Sequence, residues 1–277
     1  VSYGITIGLV CSTGIESDRG GRVMNEDNYL VCRNGQIRYR DDDKEVVKPQ
    51  TGAGVLLAVA DGMGGHAGGE YASAIAVNTV EEIVTSIELL GDEVEQGEDR
   101  VEATREKMCQ SIRLAGRRIF EKARQQPEYH GMGTTAVVLL IDGGNAFVAH
   151  VGDSRLYMMR DGKIDQVTED HSLIAEKVRH GLITPEEAKN HRMRNVITRS
   201  LGYQEDVEVD LQVLAVRRND RFLICSDGLS GHVSQEEMGE LIERHSPQEA
   251  ARRLIELACE RGGEDNITAV IAYVEEP

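Results

Sequence analysis

Three two-residue turn signals set the first limit on how this chain can fold. Asn34-Gly35 lies between YLVCR and QIRYR, Gly143-Gly144 between TTAVVLLI and NAFVAHV, and Asp161-Gly162 between RLYMMR and KIDQV. Two-residue hairpin loops select such pairs because their backbones accept positive φ. Strands joined this way run antiparallel, whereas parallel neighbours need a crossover of about a dozen residues or more. The sheets are therefore expected to be mainly antiparallel. Further strand-like runs are YGITIGLV, the continuous apolar run GVLLAVA, VEVDLQVLAV, DRFLICS and ITAVIAYV.

Between these runs the hydrophobic period changes. From about Glu70, Ala72, Ile75, Ala76, Val80, Ile83 and Ile87 recur at helical spacing. A second helix is predicted from about Val101 to Gln125, with Met108, Ile112, Ala115 and Ile119 on one face. EDHSLIAEKVRHGLITPEEAKNHR reads as two short helices, the second opening at Thr184-Pro185-Glu186-Glu187. Capped starts at Ser234-Gln235-Glu236-Glu237 and Ser246-Pro247-Gln248-Glu249 predict two more. DDDKEVVKPQTG reads as an exposed loop and GDEVEQGEDR as a polar break. Both read as surface insertions, with docking elements the alternative. The order implies an α+β domain spanning residues 1–277, in which two packed sheets are flanked by helices as a four-layer α-β-β-α sandwich.

With 31 basic against 48 acidic residues, the formal net charge of −17 argues against nucleic acid and anionic membrane as partners. Cys11, Cys32, Cys109, Cys225 and Cys259 lie far apart and form neither a zinc framework nor a disulfide scaffold. No apolar run approaches the roughly 20 residues a membrane span needs, and no basic-then-apolar leader is seen. The expectation is a soluble, cytoplasmic protein.

The functional signal is where carboxylates meet strand ends. Asp61-Gly62 ends GVLLAVA, Asp227-Gly228 ends RFLICS, and Asp153 ends AFVAHVG. Asp265-Asn266 precedes ITAVIAYV, and Asn25-Glu26-Asp27 precedes the first hairpin arm. An isolated Asp-Gly is usually a turn, as read for Asp161-Gly162. Asp61 and Asp227 stand in a different context: from each, a glycine-rich loop or LSGHVS leads into a helix rather than into a second strand. Two carboxylates ~4 Å apart repel by about 4 kcal/mol at an effective dielectric of 20, so converging acids require protonation or a cation. All-oxygen ligation selects magnesium, manganese or calcium over zinc or copper. Two divalent ions sharing a carboxylate would make a bridging water a nucleophile for phosphorus.

Other chemistries lack their parts. GMGGHAGG has no Lys-Ser/Thr ending of a P-loop, and the chain has no kinase-type catalytic loop after it. CRNGQIR has cysteine-phosphatase spacing but spans a hairpin, with no helix N-terminus to depress the thiol pKa. No Gly-x-Ser-x-Gly elbow exists, and no EF-hand loop. His66 in the glycine loop is a candidate proton donor. Arg22 is the candidate phosphate-binding group, since guanidinium matches phosphate oxygens.

Taken in order, RVMNEDNYL, VADGMGGHAGGEYAS, GTTAVVLLI, HVGDSRLYM, ITRSLG, ICSDGLSGHV and EDNITAVI resemble the metal-dependent type-2C protein phosphatases, the PPM family, and within it the bacterial serine/threonine branch. The resemblance covers essentially the whole chain. It implies a β-sandwich with helices outside and two to three divalent cations, manganese or magnesium, in a cleft at one end. By motif, Asp61 would bridge two ions and the Gly62 carbonyl would bind one. Asp227 and Asp265 would complete the other, and Glu26 and Asp27 would lie in or next to the ligand shell. Asp153 with Asp227 matches a weaker third-metal site, Arg22 the phosphate-binding arginine, and residues 171–198 a flap beside the site. Where eukaryotic members often carry His directly after Asp-Gly, this chain has Met63, so the leaving-group proton comes from His66, a metal-bound water or solvent. The implied activity is hydrolysis of phosphoserine and phosphothreonine in proteins by a monomer, opposing a serine/threonine kinase. An inactive phosphoprotein-binding relative and a phosphohydrolase of small metabolites are the alternatives.

Overall fold

In the computed structural model, which describes residues 4–12, 22, 24–33, 36–41, 44–49, 55–64, 68–84, 98–189 and 191–275, two-residue turns join the hairpin neighbours, and longer connections bring the other strands side by side. The first half contains β1 (Gly4–Ser12), β2 (Asp27–Arg33), β3 (Gln36–Asp41), β4 (Lys44–Pro49), β5 (Val55–Met63), α1 (Gly68–Val84) and α2 (Glu98–Gln125). The middle adds β6 (Gly133–Thr134), β7 (Ala136–Asp142), β8 (Asn145–Val151), β9 (Arg155–Arg160), β10 (Lys163–Gln166), α3 (Leu173–Arg179) and α4 (Pro185–Lys189). The last third holds β11 (Asp210–Ala215), β12 (Arg221–Cys225), α5 (Asp227–Ser230), α6 (Gln235–Arg244), α7 (Pro247–Glu260) and β13 (Ile267–Glu275).

Gly143 and Gly144 take φ of 57° and 84°, and Asp161 and Gly162 take 53° and 78°. Positive φ at both loop positions is the type I′ geometry that matches strand twist. These turns close Asp142 onto Asn145 and Arg160 onto Lys163. The turn pair Asn34-Gly35 falls outside the described residues, but Arg33 pairs with Gln36 across it. One sheet runs β11-β8-β7-β5-β2-β3-β4, with β6 beside β5, and the other runs β1-β13-β12-β9-β10. Every strand pairing among the described residues is antiparallel, as expected.

The strand period of two divides the apolar residues between layers. Leu57, Val59, Leu139 and Val148 of the larger sheet meet Leu156, Phe222, Ile224 and Val270 of the smaller one between the sheets. Their neighbours Leu56, Ala58, Val138 and Ala149 face the other way, onto Ala72, Ala76 and Val80 of α1 and Met108, Ile112 and Ile119 of α2. On the far side, Leu223, Ala269 and Ile271 pack under Met238 and Ile242 of α6 and Ala251 and Leu254 of α7. This is the helix–sheet–sheet–helix layering. Fully burying an aliphatic side chain contributes roughly 1.5–3 kcal/mol, so the three apolar layers dominate the favourable side of folding.

Four local readings are corrected. Lys44–Pro49, read as loop, is the edge strand β4 paired with β3. The charges that suggested a loop suit an edge strand, where Lys and a terminal Pro discourage further pairing. Lys48 lies over the Tyr39 ring, and Val46 packs on the apolar layer under α1 and α2. Residues 98–100 of the polar break belong to α2, where acidic residues favour a helix N-terminus. The loop after Asp227 winds into the single turn α5. Ser234 forms the capping box with Glu237, but Ser246 makes no side-chain cap, and Pro247 supplies the helix start there instead.

Candidate active site

The sheet topology brings the acidic strand ends together. β5 ends where β2 begins, and Asp27 is the register partner of Asp61. β8 ends beside the start of β7, with Val151 opposite Ala136, so Gly152 and Asp153 emerge next to Thr135. In the other sheet β12 ends beside the start of β13, with Cys225 opposite Ala269, placing Ser226-Asp227 beside Asp265-Asn266. The two sheets are joined at this end through Asp27. Its Oδ2 accepts 2.7 Å bonds from Ser226 Oγ and Thr268 Oγ1, both of the smaller sheet.

The backbone is held tightly around each acid. Thr135 N donates to the Asp61 carbonyl at 2.9 Å, Asp61 N donates to Thr135 Oγ1 at 3.0 Å, and Thr134 Oγ1 donates to the same carbonyl at 2.8 Å. Thr135 Oγ1 also bonds Ser154 Oγ at 2.8 Å, linking the Asp61 and Asp153 loops. Asn266 Oδ1 accepts from Glu26 N at 2.8 Å while its Nδ2 donates to the Met24 carbonyl, which fixes the Asn-Glu-Asp segment to the start of β13. Arg22 lies 3.1 Å from Asp265 Oδ1 through Nε and 3.9 Å from Glu26 Oε2 through Nη1, with about half of its side chain exposed. Thr134, Thr135, Ser154, Ser226, Thr268 and Asn266 are not singled out by the sequence, although each lies inside or beside a quoted motif. Their partners are distant in the chain, and no local pattern marks them.

The glycines are there for close approach. A Cβ on Gly62 would lie 2.2 Å from the Gly69 carbonyl oxygen and 2.6 Å from that of Glu26, and one on Gly228 would lie 2.1 Å from the Asn266 carbonyl. Gly62→Ala therefore has to part β5 from α1 and from the Glu26 loop. The expected result is a loss of at least about 1–3 kcal/mol of stability, the usual overpacking cost. It is measured by urea unfolding, and unchanged stability would show that the site end of β5 yields freely.

The acids repel one another. Burial first, then Asp27, Asp227, Asp153 and Asp265, holds the Asp61 carboxyl well above its usual range. Burial pushes Asp27 up to about 7 despite the Thr268 and Ser226 hydroxyls, and Asp153 to about 7 with help from Asp227. Asp227 and Glu26 are raised too, mainly by burial. Asp27 Oδ1, Asp153 Oδ1 and Asp227 Oδ1 are buried and have no hydrogen-bond partner among the described residues. All three are carboxylate oxygens beside other acids, the donor type that suits hard divalent cations. His66 lies outside the described residues. Met63 is half-buried at the end of β5.

A family model described as protein phosphatase 2C matches residues 33–266. Serine/threonine protein phosphatase PstP of Mycobacterium tuberculosis is 41% identical over 219 residues, covering 79% of this chain and 40% of its own length. This chain thus spans about two fifths of that relative. Serine/threonine phosphatase stp of Listeria welshimeri is 35% identical over 240 residues, covering 86% of this chain and 91% of its own. A crystal structure of the PstP catalytic domain in complex with two manganese ions superposes with a TM-score of 0.76 at 34% identity, covering 99% of this chain and 100% of that one.

Proposed function

The chain belongs to the protein phosphatase 2C family, and from that premise we propose that it is a metal-dependent phosphatase of phosphoserine and phosphothreonine in proteins. The observation that carries the reading is the set of orphaned, buried oxygens on Asp27, Asp153 and Asp227, in a cluster whose acids raise one another's pKa. Asp61, Asp227, Asp265 and the Gly62 carbonyl are proposed to hold two divalent cations, manganese or magnesium, and Asp153 with Asp227 a third. Glu26 and Asp27 support them, Asp27 through the oxygen its two hydroxyl partners leave open. Cations held there supply the neutralising charge and the water activation that hydrolysis of a phosphoric monoester needs. Support comes from the relatives named serine/threonine phosphatases and from the two manganese ions of the PstP catalytic domain.

The protein's own groups bind and orient. Arg22 is fixed between Asp265 and Glu26 with part of its fork open to solvent, which suits it to grip phosphoryl oxygens. With Met63 after Asp61-Gly62, His66 remains the proposed side-chain donor of the leaving-group proton. The working assignment is one phosphatase domain over 1–277, acting as a monomer in the cytoplasm on the products of a serine/threonine kinase. Among the described residues no helix is long and apolar enough to cross a membrane.

The test is turnover of a phosphothreonine peptide and of para-nitrophenyl phosphate in EDTA, magnesium and manganese. Turnover of both that appears with metal and vanishes in EDTA is expected. Turnover of the small ester alone would move the reading to metabolite hydrolysis. Manganese binding with no turnover would make the chain a phosphoprotein-binding relative. Arg22→Ala should raise the KM for the peptide about tenfold or more, the loss of a charged hydrogen bond worth about 1.5–3 kcal/mol.

A further inference from the structure

Both stems of the segment between β10 and β11 close on one carboxylate. The stems pair with each other: Ser172 bridges Ile197, Leu173 N donates to the Val196 carbonyl at 2.9 Å, and Thr198 N to that of His171 at 2.8 Å. From the leading stem, buried His171 places Nε2 3.2 Å from Asp210 Oδ2. From the trailing stem, Arg199 Nη1 donates to Asp210 Oδ1 at 2.6 Å. Asp210 opens β11 and is the register partner of His150, whose ring stacks on His171 with centroids 4.7 Å apart.

His171 also reaches inward. Its N–H donates to the Gly152 carbonyl at 2.9 Å, and the Gly152 N–H donates to Nδ1 at 3.1 Å. Gly152 sits at φ +108° with its other side against Thr135, where a Cβ would lie 2.6 Å from Thr135 Cγ2. The residue before Asp153 is thus clamped between Thr135 and His171. A backbone N–H can only donate, so Nδ1 is the acceptor and the ring proton of the neutral imidazole sits on Nε2, aimed at Asp210. Burial keeps this ring neutral by lowering its pKa.

His150, His171 and Asp210 lie close enough for a metal site. Yet His150 Nε2 is bonded to the Glu169 carbonyl, and both nitrogens of His171 and both oxygens of Asp210 are engaged within the protein. The cluster is a clasp instead.

We propose that His171 is a positioning residue for Asp153: Asp210 fixes its tautomer and holds the two stems, and Nδ1 in turn holds the Gly152-Asp153 turn. This rests on the functional reading above, in which Asp153 holds a cation. Outer partners of ligands typically change metal affinity 10–100-fold when altered. Two substitutions split the ring in half: the amide of Asn replaces Nδ1, and that of Gln replaces Nε2. Manganese binding, counted by electron paramagnetic resonance of the free ion, is the first readout. His171→Gln, which loses the acceptor for Gly152, should weaken the weakest manganese site about tenfold. His171→Asn, which keeps that acceptor, should stay within about twofold of wild type.

The second readout is the imidazole 15N shifts of His171, expected to report the Nε2–H tautomer in the wild type and a changed pattern in Asp210→Asn. Equal losses in the Asn and Gln variants, unchanged affinity in both, or a wild-type Nδ1–H tautomer would each overturn the proposal. If a His171 variant fails to fold, Asp210→Asn decides: manganese affinity and 15N shifts both as in wild type overturn it. A wild type that binds no manganese removes the functional reading as well. Wild-type binding with insensitive variants removes this inference alone.

Discussion

Asp61→Asn is expected to abolish turnover, by on the order of 10³-fold in kcat, while raising the melting temperature of the chain in EDTA. The two effects share one cause. Asp61 sits at the end of β5, its backbone fixed by Thr134 and Thr135 and its position set by pairing with Asp27. Asparagine keeps that shape but cannot ionise, whereas in the wild type Asp27, Asp227, Asp153 and Asp265 all oppose ionisation of Asp61. Without metal, the variant is spared the cost of either ionising or protonating this carboxyl in the folded cluster, on the order of 1–4 kcal/mol at neutral pH. At about 2–4 °C per kcal/mol for a domain of this size class, the midpoint should rise by several degrees. With metal the order should invert, because ligand binding stabilises the wild type in proportion to RT ln(1 + [L]/Kd) and the variant would lack a carboxylate proposed to hold the cations. The lost charge stabilisation, several kcal/mol at 1.36 kcal/mol per tenfold, gives the expected fall in rate. Calorimetric melting of both proteins in EDTA and in manganese, beside peptide turnover, checks this. A variant that melts below wild type in EDTA would make Asp61 a structural acid, and turnover within tenfold of wild type would take it out of the cation site.

Much of this arrangement is legible in the sequence because it is local. Asp161-Gly162 can be read as a hairpin loop because a two-residue loop needs positive φ at both positions, and strand-like residues stand on both sides. Asp61 and Asp227 can be told from it because no second strand stands at hairpin distance after them. Met108, Ile112, Ala115 and Ile119 recur on one helical face, and all four are fully buried. Long-range pairing is another matter. Nothing near Asp27 announces that hydroxyls 199 and 241 residues away will hold its Oδ2. The pairing of β1 with β13, the first strand with the last, has no local sign either. β4 reads as a loop because charge is evidence against burial, not against pairing, and an edge strand is paired on one side without being buried. The overall layering is expected from the order of elements. The convergence of the acids at one end of it emerges only once strand order is known.

In EDTA, the stability of the wild-type chain is expected to fall as pH rises from about 4 to about 7, the reverse of an ordinary salt-bridged protein. Asp27 and Asp153 titrate near 7 in the folded chain against the usual 3.8, and Asp61, Asp227 and Glu26 are raised as well. Between those values the folded chain holds protons that the unfolded chain has released. Stability therefore declines with pH across that window and is fully present only below it. A shift from 3.8 to about 7 is on the order of 4 kcal/mol for a group as buried as Asp27. The cluster as a whole falls short of the sum, since each protonation relieves its neighbours. Other groups oppose the trend. His150 and His171 are held neutral by burial, so they cost stability as pH falls through the usual 6.5. The salt-bridged Glu237 and Glu249, lowered to about 2, act only below their usual 4.5. If divalent cations take the same oxygens as the protons, as proposed, manganese should add little at pH 5 and several kcal/mol at pH 7.5, with protons released on binding. Urea midpoints at pH 5, 6, 7 and 8, in EDTA and in manganese, measure both limbs, and Asp153→Asn should flatten the EDTA limb. A metal-free midpoint that instead rises steadily to pH 8 would mean that the acids are already paired within the fold, and that the orphaned oxygens are not waiting for a cation.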